Sequence, residues 1–123
     1  MYTEKELEFV PITCHWCTAG NMNFIDFRYG DVHKAIRVSP KMETAMRNVH
    51  GRRINARRSE LKHDVYMLLY CHTPITVSYH ALEQDTSAVN ARGEIISPMY
   101  PLHKYLLGMM HKFIEEVVNG QIR

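Results

Sequence analysis

The chain has 123 residues, 46% of them hydrophobic and 23% charged, with a formal net charge of +2. One domain of this size buries a core without disulfides or a structural metal, and the composition sets aside the disordered and fibrous classes. The opening MYTEKELEF lacks a secretory signal's basic and apolar regions, and no run reaches the roughly 18 apolar residues of a membrane span, so a cytoplasmic protein without membrane contact is expected.

The modest net charge hides an imbalance. Between Arg37 and His63 lie Arg37, Lys41, Arg47, Arg52, Arg53, Arg57, Arg58 and Lys62 against only Glu43 and Glu60, a local +6 that leaves −4 elsewhere. The eight methionines suit an irregular core, since their flexible side chains fill uneven gaps.

In chain order, Leu7, Phe9 and Val10 run toward Pro11 as a short strand or extended arm. Cys14-His15-Trp16-Cys17 follows, with the two-residue spacing that can hook zinc or form a redox pair. Zinc needs two more ligands, and only the scattered His33, His63, Cys71 and His72 offer them; redox chemistry needs a helix start that TAGNMNF does not supply. The preferred reading makes Cys14, Trp16 and Cys17 half-buried members of a strand or turn, with reduced thiols and no cofactor.

From Asn23 to Tyr29, Ile25, Phe27 and Tyr29 alternate with Phe24, Asp26 and Arg28, the period of a strand. Tyr29-Gly30-Asp31 turns the chain, and His33 to Val38 returns as the partner strand. Ser39-Pro40 then starts a helix over 41–50, because serine accepts a first-turn N–H and proline gives up a donor that has no partner there anyway. Gly51 breaks it, and a second helix is expected over 53–71.

That second helix carries the functional reading. Ile54, Leu61, Val65, Leu68 and Leu69 form a core-facing seam, while Arg52, Ser59, His63, Tyr66 and Tyr70 form an opposite stripe, basic and then aromatic. Guanidinium groups fork onto phosphate oxygens and tyrosine rings stack on bases.

Thr73-Pro74 predicts another helix, to about Gln84. With a turn at 84–86 and Ser87 capping 87–92, the stretch 53–92 loosely resembles a helix-turn-helix. Residues 85–93 otherwise read as loop and 94–97 as a brief strand. From Pro101, the apolar stripe of Leu102, Tyr105, Leu106, Met109, Met110, Phe113, Ile114, Val117 and Val118 predicts the longest helix, with His103, Lys104, His111, Lys112, Glu115 and Glu116 on its other side and Asn119-Gly120 as its stop.

The expected fold is therefore α+β: a single domain with a small N-terminal antiparallel sheet of two or three strands (1–39), followed by three or four packed helices (40–123). No nucleophile elbow, phosphate loop, HExxH or paired-carboxylate pattern is present, so no catalytic residues are assigned. The expected function is non-catalytic regulatory binding of nucleic acid or another phosphate-bearing ligand. Arg47, Arg52, Arg53, Arg57, Arg58 and Lys62 contact phosphate; His63, Tyr66 and Tyr70 stack or hydrogen-bond. The alternatives are an adaptor or inhibitor that meets an acidic protein surface, with oligomerisation allowed, and a small zinc protein using Cys14 and Cys17.

Overall fold

The stripe after Pro101 becomes helix α5 (Tyr100–Val118), the element on which the rest is assembled. Leu102, Leu106, Met110, Phe113 and Ile114 are all buried along it, as the periodicity predicts. The computed structural model describes residues 2–54, 56–85, 90–95 and 97–120.

Opposite α5 lies an antiparallel sheet of β1 (Ile12–Ala19), β2 (Met22–Tyr29), β3 (Val32–Arg37) and β4 (Ile75–Val77), in the order β3-β2-β1-β4. The other helices are α1 (Glu4–Leu7), α2 (Pro40–Val49), α3 (Leu61–Tyr70) and α4 (Tyr79–Gln84), so the fold is α+β in one compact domain.

Strand alternation sorts the sheet's side chains. Ile12, Cys14, Trp16, Ile25, Phe27, Ile36 and Val77 turn inward and are buried, with the Phe27 and Phe113 rings stacked at 5.8 Å. Thr13, His15, Cys17, Phe24, Asp26, Arg28, His33 and Arg37 take the opposite parity and form a partly exposed polar face. Lys34 keeps the inner parity at the sheet's edge, where its ammonium bonds Glu116 of α5 at 2.9 Å.

The predicted hairpin, the Ser39 cap, the break at Gly51 and the stop after Val118 are all present; the Ser39 hydroxyl accepts from Met42 N–H, and Gly51 has φ 81°. Four expectations change. The arm before Pro11 is instead α1, closed by a capping box in which Thr3 and Glu6 satisfy each other's backbone N–H. The sheet has four strands rather than two or three, because the CxxC segment is β1 and Ile75-Thr76-Val77 pairs with it as β4.

That pairing also removes the helix-turn-helix reading. The chain after α3 enters a strand, helix α4 starts only at Tyr79 behind the Ser78 cap, and residues 86–89, with the expected Ser87 cap, lie outside the described residues. At 90–94 the chain turns instead, the Asn90 carboxamide oxygen accepting from the N–H groups of Arg92 and Glu94. The strand expected over 94–97 includes Ile96, also outside the described residues.

The fourth change is His103, expected on the polar side of α5 but only 6% exposed. Its Nε2 meets the Leu82 carbonyl at the end of α4, and its Nδ1 stands 4.0 Å from Asp85, too far for a hydrogen bond. Hydrogen bonding to α4 compensates the burial of an imidazole, which side-chain periodicity cannot anticipate.

The same alternation decides the thiols. Cys14 is buried, Cys17 half-buried on the outer parity and Cys71 exposed, and burial pushes the Cys14 thiol up to about 12. Burial and the nearby Asp26 carboxylate also raise Cys17. Alkylation at pH 8 followed by mass mapping should therefore mark Cys71 first, Cys17 more slowly and Cys14 only on unfolding; early labelling of Cys14 contradicts the inward register.

Candidate nucleic-acid interface

The basic segment does not form the helix expected over 53–71: α3 begins at Leu61, and residues 50–54 and 56–60 are turns and irregular chain. Ile54 is the only large apolar side chain in 52–60, so a helix there has almost no face to bury. Arg53 and Arg57 would also repel at helical spacing, and Asn55 and Ser59 are weak helix formers. The chain turns instead, with Arg52 N–H donating to the Val49 carbonyl and Glu60 N–H to that of Arg57.

The loop leaves Arg52, Arg53, Arg57 and Arg58 exposed, beside Arg47 on the last turn of α2. Among the described residues no carboxylate pairs with any of these five. Arg47 donates to the Thr44 hydroxyl at 3.1 Å.

Lys62 departs from its expected role in phosphate binding. It shares a helical face with Val65 and Leu69, is 8% exposed, and its ammonium lies 3.2 Å from Glu60. The aliphatic stem packs inward while the charge meets an internal carboxylate, so Lys62 belongs to the fold.

His63, Tyr66 and Tyr70 do lie on one side of α3, as the stripe predicts, and all three are half-buried. The Tyr66 and Tyr70 ring centroids are 4.8 Å apart, and His50, from the end of α2, lies 6.1 Å beyond Tyr70. The Tyr70 hydroxyl donates to the Met46 carbonyl at 2.6 Å.

Two clefts flank this pair of rings. One, of about 310 Å³, is lined by Asn23, Glu43, Met46, Arg47, His50 and Tyr70. The other, of about 240 Å³, is lined by Arg52, Ile54, Ala56, His63, Tyr66 and Met67. Each combines one arginine, one histidine, one tyrosine and one methionine: a cation, a polar ring, a stacking face and an adaptable apolar wall. Sequence periodicity missed His50, Asn23, Glu43 and the methionines, because β2, α2 and α3 bring them together across long separations. The basic residue next to the glycine break was the one available cue for His50.

Burial, and secondarily Tyr66, pushes the Tyr70 hydroxyl up to about 12, against an ordinary 10.0. The folded state therefore holds this proton more tightly than the unfolded chain. The stability Tyr70 contributes is complete below pH 10 and lost as pH rises through about 12. Tyr70→Phe should cost about 1 kcal/mol at neutral pH through the lost bond to Met46, and should flatten that alkaline decline in urea unfolding.

Cys14 and Cys17, the alternative metal pair, turn to opposite faces of β1 and so cannot hold one ion together. Among the described residues one cluster brings three metal-ligand atoms within 4.8 Å: Glu4, His111 and Glu115. Both His111 nitrogens are engaged there, Nε2 with Glu4 at 3.0 Å and Nδ1 with Glu115 at 2.7 Å, so the trio straps α1 onto α5. No helix among the described residues is long and apolar enough to cross a membrane. Comparison with family models, with curated proteins and with solved structures gave no match, so the functional reading rests on this geometry alone.

Proposed function

We propose that the protein is a non-catalytic, regulatory nucleic-acid-binding protein whose arginine loop and tyrosine pair take an unpaired strand. The observation that carries this reading is that Tyr70 and Tyr66 share their clefts with Arg47 and Arg52, which stand close in the chain to the exposed Arg53, Arg57 and Arg58, and that among the described residues no carboxylate pairs with any of the five. Rings stack on any base whose face is free, and guanidinium groups follow the phosphates beside it. A duplex hides its base faces, so a single strand or a loop fits the clefts better.

The phosphate contacts fall to Arg47, Arg52, Arg53, Arg57 and Arg58, the stacking to Tyr66, Tyr70 and His50, and a hydrogen bond to His63. The test is fluorescence anisotropy with labelled random-sequence single strands, DNA and RNA, across a salt series. Five phosphate contacts predict a slope of log K against log salt near −3.5, from roughly −0.7 per phosphate. No binding at low salt, together with capture of an acidic protein through the same arginines, would instead establish the adaptor or inhibitor.

A further inference from the structure

The larger cleft holds two opposite charges that do not pair. Glu43 and Arg47 are four residues apart on α2, with the acid toward the N-terminus, the arrangement in which helical ion pairs form most readily. Both line the cleft, yet Arg47 turns to the Thr44 hydroxyl, and among the described residues no cation pairs with the Glu43 carboxylate. Asn23 reaches the same cleft from β2, and Tyr70 supplies a ring face. A carboxylate that only accepts, a carboxamide that donates and accepts, a guanidinium and a stacking ring thus border one space.

Resting on the nucleic-acid reading above, we propose that this cleft selects guanine. Guanine is the base whose Watson–Crick edge carries two adjacent donors, the ring N1–H and the exocyclic amino group, which match the two oxygens of one carboxylate. Its neighbouring carbonyl oxygen accepts from the Asn23 amide, its ring stacks on Tyr70, and its phosphate meets Arg47. Thymine and uracil present one donor between two carbonyl oxygens, which a carboxylate repels. Among the described residues no carboxylate lines the smaller cleft, so it accepts a neighbouring base without choosing among them.

The test uses the whole chain with two labelled probes, a short oligothymidine strand and the same strand with one central guanine. Anisotropy titration at fixed salt should show the guanine strand binding about tenfold or more tightly, the scale of one good bidentate base contact. Glu43→Gln should abolish that preference and leave oligothymidine affinity equal or slightly higher, since a negative charge is lost; circular dichroism melting verifies that the variant folds. Equal affinity of the natural chain for both strands overturns guanine selection and leaves nucleic-acid binding standing. A preference that survives Glu43→Gln overturns the role of Glu43. Failure of both strands to bind at low salt overturns both readings.

Discussion

Replacing Arg53, Arg57 and Arg58 together with alanine is expected to lower affinity for single-stranded nucleic acid about a hundredfold at 0.1 M salt. Three lost phosphate contacts reduce the salt slope by about 2, and over the decade between 1 M and 0.1 M that is two powers of ten. Stability should hardly change. All three side chains are exposed on a loop, and among the described residues none is ion-paired, so unfolding free energy should stay within about 0.5 kcal/mol of the parent. Titration across a salt series together with urea unfolding separates the two effects. An unaltered slope would remove the loop from the binding surface, and a large loss of stability would assign these arginines to the fold.

Phe113→Ala should have the largest effect on folding, about 3–5 kcal/mol. Phe113 is 1% exposed and its ring stacks on Phe27 in the middle of the sheet, so truncation opens a cavity between the two layers. Against the 5–15 kcal/mol of a typical domain this is a major fraction, and the melting temperature should fall by about 10 °C or more. Lys112→Ala, exposed on the neighbouring position of α5, should stay within about 0.5 kcal/mol and serves as the control. Because the two phenylalanines share one contact, the double variant with Phe27→Ala should lose less than the sum of the single variants. A Phe113→Ala cost below about 1 kcal/mol would mean that α5 does not lie against β2 in solution.

Part of the candidate arginine-and-tyrosine site is legible in the residues. Placing His63, Tyr66 and Tyr70 on one stripe needed only the helical period, and α3 realises that period over its own length. The helix does not extend back through Arg53, since the apolar recurrence there rests on Ile54 alone and the arginines repel one another at helical spacing. Lys62 failed for a related reason: charge suggested exposure, while position put it on the face of Val65 and Leu69 beside Glu60.

Local chemistry by itself determined the hairpin of β2 and β3, the start of α2 at Ser39-Pro40, the break at Gly51 and the long buried face of α5. Caps, turn glycines and a sustained apolar period act within a few residues of where they are written. Tertiary structure alone decided that Ile75-Thr76-Val77 becomes a strand, because its hydrogen bonds come from β1, about sixty residues earlier in the chain. It also turned Cys14 away from Cys17, buried His103 against the Leu82 carbonyl, and brought Asn23 and Glu43 to the cleft beside Tyr70. In each case the deciding partner is distant in sequence, and neither propensity nor spacing carries information about a contact made only after the layers have packed.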